Sequence, residues 1–210
     1  LMISLFNIND HIVDTSKYTH LLHGENVENL ENTLKKYVGA KYACSISSAT
    51  NAIFLSFLNK SVTVNVPSII PPVVLNAIAT SGNRINFVDN IEWVGNSYTL
   101  QADIVMKNFN LFEEKSSALQ RLVTTYNNEL GYNNSSIHLY RIEVQNNEEF
   151  ISKMRDRGIV CGKHYDAMHK NLTYTRGTLF KCPRSEKIEK TTVSLPMNEV
   201  LTPIEIEHII

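Results

Sequence analysis

The spacing of apolar and polar positions changes period several times along the chain. Val27, Leu30, Leu34 and Tyr37 recur at helical spacing, with Glu25 and Glu28 early and Gly39 just beyond, which predicts an amphipathic helix ended by a glycine. Residues 41–47 predict a short strand, Ser47-Ser48-Ala49-Thr50 a turn, and residues 51–58 a second apolar helix. The β-branched run 61–66 predicts a strand that stops at Pro67. Pro71-Pro72 opens the next helix, where a missing N–H costs nothing, Ser81-Gly82 closes it, and residues 84–88 predict another strand. Helices that alternate with strands point to an α/β layer with a largely parallel sheet.

The period then settles. Ile104, Val105, Phe109, Phe112, Leu119, Leu122, Tyr126 and Leu130 mark the apolar stripe of one long helix over 101–130, stopped by Gly131. A strand over 138–144, a helix over 148–157 and a short strand near Ile159 follow. The end of the chain predicts a strand over 191–195 and a helix opened by Thr202-Pro203. A boundary within residues 90–100 divides the chain into a first domain, 1–95, and a second, 96–210, with the long helix as connector.

Composition narrows the function classes. The 210 residues carry 20 Lys+Arg against 21 Asp+Glu, and such balance argues against a nucleic-acid binder, which needs a basic face. The most apolar stretch, 62–79, is broken by Pro67, Pro71 and Pro72, so no membrane span is expected. The start lacks a basic region and a cleavage site, and three scattered cysteines make no disulfide framework, so a reduced, cytoplasmic protein is expected. Leu1 stands in front of Met2, which reads as a fragment. Eight dispersed glycines exclude the clustered glycines of a Walker or dinucleotide loop.

Several residue sets carry candidate chemistry, each with a plainer alternative. Ser47-Ser48-Ala49-Thr50-Asn51 lies between a predicted strand and a helix start, where orphan N–H groups favour an anion; helix capping by Ser48 or Thr50 is the simpler reading. Cys161, His164, His169 and Cys182 superficially resemble a four-ligand zinc set, but the spacing matches no standard pairing and the histidines read as polar loop members. Lys107 is a candidate amine nucleophile, although helical spacing makes it an exposed helix position. His20 and His23 read as surface or capping residues, and the Glu148-Glu149 and Glu205/Glu207 pairs as helix-start charges.

Taken together, ordered segments of the chain resemble the DegT/DnrJ/StrS family of pyridoxal-phosphate-dependent sugar aminotransferases. Leu22-His-Gly-Glu-Asn-Val-Glu-Asn-Leu-Glu, Tyr37-Val-Gly-Ala-Lys-Tyr-Ala and Ser48-Ala-Thr-Asn-Ala-Ile resemble the stretch ending in the family's SGTxAL. Val66-Pro-Ser, Asn76-Ala-Ile and Gly82 through Phe87-Val-Asp89 resemble its "VP…A…G…FVD" continuation. Gly95-Asn-Ser with Gln101-Ala102, then Arg121, Tyr126 and Leu130, resemble its helix opening and "R…Y…L" ending. Gly158-Ile159, His164-Tyr165, His169, Ser194-Leu-Pro196 and Leu201-Thr-Pro keep family order to the end.

The resemblance implies a fold-type-I architecture: a remnant of the α/β/α large domain, a long connecting helix and a small α/β C-terminal domain. It implies pyridoxal phosphate with its phosphate on the helix after SGT, a lysine in Schiff-base linkage, and a dimer with shared active sites. Ala49 and Thr50 match the phosphate-binding Gly-Thr, Asn96 matches an Asn that reaches the neighbouring subunit's phosphate, and His164 and Tyr165 match substrate-side residues of the small domain. After Asp89-Asn90 the sequence passes almost at once to the Gly95-Asn96 helix opening. The family segment normally in between carries the aspartate for the pyridine nitrogen and the SF…K…GEGG lysine. Without them the cofactor loses its covalent anchor and its electron-sink partner.

Loss of central strands leaves sheet edges that invite another chain. The expectation is a non-catalytic family member, a homodimer or a heteromer with a full-length aminotransferase, in nucleotide-sugar or surface-polysaccharide metabolism. Two alternatives stay open: an active transaminase moving an amino group from glutamate to a keto-sugar nucleotide, and a module that binds phosphate or nucleotide-sugar without chemistry.

Overall fold

The computed structural model describes residues 2–5, 24–89 and 102–210, with the side chains of the long helix described from Glu114 onward. Helix α1, Glu25–Val38, carries Glu25 and Glu28 in its first turn and Lys35 and Lys36 in its last, complementing its dipole. Gly39 ends it at φ 67, a left-handed conformation that favours glycine. Helix α2, Ala49–Phe57, leads into strand β1, Thr63–Pro67; helix α3, Pro72–Thr80, then crosses to strand β2, Arg84–Val88. The strands run parallel in register from Thr63↔Arg84 to Pro67↔Val88, a β-α-β unit as the alternating pattern predicts.

A single asparagine ties this unit at its amino edge. Asn83 is buried; its Nδ2 donates to the Phe57 carbonyl at 2.8 Å and to Ser81 Oγ at 2.9 Å, and its Oδ1 accepts from the Val62 N–H at 2.8 Å. The end of α2, the end of α3 and the approach to β1 thus share one side chain.

Helix α4, Ala102–Leu130, leads to strand β3, Tyr140–Glu143, helix α5, Asn147–Asp156, a 3-10 turn at Met168–Lys170, and helix α6, Leu172–Thr175. Helix α7, Pro183–Thr191, strand β4, Thr192–Leu195, and helix α8, Pro203–Ile209, complete the chain. β3 and β4 pair antiparallel, with Tyr140 opposite Leu195 and Arg141 opposite Ser194. One side of this strand pair packs Tyr140, Ile142, Val193 and Leu195 with Leu122, Val123 and Tyr126 of α4, and Ile3 joins that cluster. Tyr126 Oη donates to the Pro196 carbonyl at 3.1 Å, and burial pushes its phenol well above the ordinary tyrosine range. A second cluster gathers Val66, Leu75, Ile78 and Phe87 of the parallel unit with Met168 and Cys182 of the later chain.

Two strand expectations fail in instructive ways. Residues 41–47 form no strand, because the Glu31 carboxylate, not a neighbouring strand, receives the Ser45 N–H at 2.7 Å and the Ser45 hydroxyl at 2.9 Å. The strand expected near Ile159 is one isolated parallel bridge to Ile3. Helix α7 was not expected at all: it has little apolar periodicity, and Cys182 at its N-cap makes no side-chain cap bond. Among the described residues the only sheets are these two pairs of strands.

Asn83→Ala removes the buried amide that answers the Val62 N–H and ties Phe57 to Ser81, and should lower unfolding free energy by about 2–3 kcal/mol. The exposed Asn65→Ala should change it by less than ~0.5 kcal/mol. Urea denaturation of both checks this; equal effects would show that Asn83 is not a tie.

Candidate functional site

The turn before α2 adopts the geometry of a capped helix start. Ser48 Oγ accepts the Asn51 N–H at 3.2 Å, and Ser47 Oγ accepts from Asn51 Nδ2 at 2.8 Å. The capping residue is therefore Ser48, and Ala49 and Thr50 occupy the first turn, both half-buried. Their N–H groups belong to the first turn, which has no intrahelical acceptors, so the polarity suits an anion.

His164 and Tyr165 lie in another part of the fold, against the antiparallel β3–β4 pair. His164 Nδ1 is 3.0 Å from Ser194 Oγ, and its ring meets Tyr165 edge-on at 5.2 Å. A Cβ on Gly162 would come within 2.6 Å of His164 Cε1, so glycine there makes room for the imidazole. Burial, then the Arg141 guanidinium and His138, push the His164 pKa down to about 4. Arg141, opposite Ser194 across the strand pair, is itself buried. Asn96 lies outside the described residues, as do His20, His23 and the side chain of Lys107.

The cysteine and histidine set does not converge. Cys161 is buried in the first cluster, where desolvation pushes its thiol up to about 11, whereas Cys182 is buried in the second. Among the described residues no group of three or more His, Cys, Asp or Glu side chains converges as a metal site would require. Glu148 and Glu149 begin α5 under an Asn146 cap, and Glu205 closes a capping box with Thr202, as helix-start charges should.

The structure assembles a constellation that sequence spacing concealed. Ser68, just after β1, and His169 lie 101 positions apart, yet Ser68 Oγ is 2.6 Å from Nδ1 and accepts the His169 backbone N–H at 3.2 Å. Nε2 on the far side of the ring is 3.2 Å from Glu186 Oε1 in α7. These contacts are all satisfied when the serine hydroxyl donates to Nδ1 and Nε2–H donates to the carboxylate. Ser68 is fully buried, so this is not a substrate-facing nucleophile. Just after β2, Asp89 accepts the N–H groups of Arg184 and Ser185 at 2.9 and 2.8 Å and the Ser185 hydroxyl at 2.6 Å. It supplies the cap that α7 lacks locally. In the sequence, His169 drew notice as a member of the zinc-like set and by its family order, and Ser68 and Asp89 drew notice only within the family-like Val66-Pro-Ser and Phe87-Val-Asp89.

The described residues fit one end of pyridoxal phosphate and not the other. The α2 start suits a phosphate. A carboxylate for the pyridine nitrogen must be available in the site, but Asp89 caps α7 and Asp166 faces Lys163 at 2.7 Å. A Schiff-base lysine must be a neutral amine, yet Asp166 pushes Lys163 upward, and Lys115, Lys153 and Lys170 face Glu199, Glu149 and Glu189.

A β-α-β unit with a capped helix start, followed by a long helix and a small α/β unit, defines a protein with the fold-type-I aminotransferase architecture. A family model described as the DegT/DnrJ/EryC1/StrS aminotransferase family matches residues 6–107 and 98–210, and the chain belongs to that family. It is similar to a DegT DnrJ EryC1 StrS aminotransferase from Brucella abortus, with 14% identity and TM-score 0.74 over 89% of this chain and 88% of that one. It is similar to Helicobacter pylori PseC, an aminotransferase involved in the biosynthesis of pseudoaminic acid, with 13% identity and TM-score 0.76 over 91% of each chain. E. coli GDP-4-keto-6-deoxy-D-mannose-3-dehydratase with bound hydrated PLP gives 12% identity and TM-score 0.75 over 100% of this chain and 99% of that one. At such identities the likeness establishes the fold, and the neighbours imply a cofactor of the pyridoxal-phosphate type for the family. No curated protein matches the chain by sequence. Among the described residues no helix is long and apolar enough to cross a membrane.

The His164 environment generates a pH prediction. Its folded pKa, about 4, lies below the ordinary 6.5, so the unfolded chain binds the extra proton first as pH falls. Stability is full above about pH 6.5 and is lost progressively toward pH 4, by on the order of 2 kcal/mol. His164→Gln should flatten urea-derived stability between pH 6.5 and 5; an unchanged slope would assign it to other groups. Ser48→Ala should cost about 1 kcal/mol as a lost cap, against a smaller effect of Thr50→Ala.

Proposed function

We propose that this chain is an internally shortened member of the sugar-aminotransferase family that does not carry out transamination by itself. It serves as a binding partner of a second copy or of a full-length aminotransferase, in cytoplasmic nucleotide-sugar or surface-polysaccharide metabolism. The carrying observation is that the sequence runs from Asp89-Asn90 to Gly95-Asn96 without the family's SF…K…GEGG segment. The family model matches in two segments that overlap at residues 98–107, which supports the reading.

Pyridoxal phosphate supplies a carbonyl for amine exchange and an electron-accepting ring when it is bound in this family. Incubation with it, borohydride reduction and peptide mass analysis should find no lysine labelled stoichiometrically, only scattered low labelling of surface amines. Stoichiometric reduction onto one lysine, Lys107 above all, would overturn the non-catalytic reading.

The capped start of α2 favours a second reading, a module that holds a phosphate or nucleotide-sugar without chemistry. Calorimetric titration with a nucleotide-sugar decides it, because Thr50→Ala should then weaken binding at least about tenfold. Unchanged binding leaves the turn as a helix cap alone.

A further inference from the structure

The β1–β2 ladder has a fixed parity. Arg84 N donates to the Val62 carbonyl at 3.0 Å and Ser68 N to the Val88 carbonyl at 3.1 Å, on either side of the partners Thr63↔Arg84 to Pro67↔Val88. In a parallel ladder this turns the main-chain groups of Val62, Val64, Val66 and Ser68 toward β2. Those of Thr63 and Asn65 aim the other way, along the outer edge of β1, with the Pro67 carbonyl beyond them. Among the described residues no strand pairs with that edge, and Thr63 and Asn65 are exposed.

The two faces of the pair differ. Val64, Val66, Ile85 and Phe87 pack in the second hydrophobic cluster. The opposite face carries Thr63, Asn65, Arg84 and Asn86, where Asn86 Nδ2 donates to Asn65 Oδ1 at 2.8 Å. A parallel sheet is ordinarily covered on both faces by apolar packing. This polar face offers a partner little to bury, so the edge, not the face, is the adhesive part. Natural edge strands are defended by charge. Residues 61–67 carry none, whereas Arg84 and Asp89 bracket β2.

We propose that the outer edge of β1 pairs antiparallel with the same edge of a second copy of this chain, about a two-fold axis at Val64. The spacing is self-complementary, as a two-fold contact requires. Thr63 of each copy exchanges both main-chain hydrogen bonds with Asn65 of the other, and two uncharged edges meet without like-charge repulsion. The half-buried Val64 faces its own copy beneath the new pairing, which joins the two apolar clusters under one four-stranded sheet. Pro67, which has no N–H, limits the pairing at its far end. The inference names the partner in the binding-partner reading above and rests on it.

Light scattering of the full chain at micromolar concentration should give twice the 23.8 kDa of one copy. A monomer overturns the pairing and leaves a full-length aminotransferase as the partner which that reading requires. Asn65→Pro removes an N–H that β2 does not use, and Thr63→Lys sets a charge on the edge without altering the main chain. Each should weaken the dimer about tenfold or more while circular dichroism stays unchanged. A folded variant of either kind that dimerises as tightly as the unmodified chain overturns the inference. Position 64 of one copy should lie about 4.5 Å from position 64 of the other, Cα to Cα, within the span of a disulfide. Val64→Cys, oxidised with copper phenanthroline, should therefore give a peptide linked from position 64 to position 64; a dimer that yields no such peptide overturns the two-fold pairing. A reduced lysine adduct in the borohydride experiment overturns the non-catalytic reading instead, and the linked peptide still decides the edge.

Discussion

The junction between the carboxyl ends of two parallel strands and the first turn of a helix almost a hundred residues later is the constraint on which the fold turns. A parallel β-α-β unit ends in backbone groups and side chains aimed into a crevice. Those groups must find partners, and Ser68 and Asp89 find them in His169 and the start of α7. The second hydrophobic cluster follows from that docking, because Met168, Phe180 and Cys182 reach Val66 and Phe87 only when the anchors hold. Helix α7 depends on it as well, since its start has no local side-chain cap and borrows Asp89.

The same junction links the fold to chemistry. In this chain Asp89 is spent on a helix start and the nearest histidine on a buried serine. The α2 cap survives as local structure, with Ser48 accepting the Asn51 N–H. The capped helix start needs only a few contiguous residues, so it forms from local sequence alone.

Local order was readable wherever a short-range rule suffices. Gly39 ends α1, Pro72 opens α3, and the β-branched run before Pro67 becomes β1, each by a preference of backbone or side chain that acts over a few residues. The same logic failed at residues 41–47, where the apolar run lacks a neighbouring strand and the Glu31 carboxylate takes up the Ser45 N–H. It failed again at α7, whose cap lies 95 positions away. Of the candidate site, Ala49 and Thr50 were legible as a helix start and His164 and Tyr165 as a family pair. The anchoring roles of Ser68, His169 and Asp89 were not.

By itself the sequence determined the alternating elements of the first half, the parallel pairing of β1 and β2 and the family, because periodicity, turn chemistry and motif order are written within short windows. Only the tertiary structure decided which polar groups are occupied. Asp89 could have been a free carboxylate and His169 a ligand or a base. Burial and distance made them the cap and the clasp of one junction, since a polar group removed from water takes whichever partner the folded chain brings within hydrogen-bonding reach.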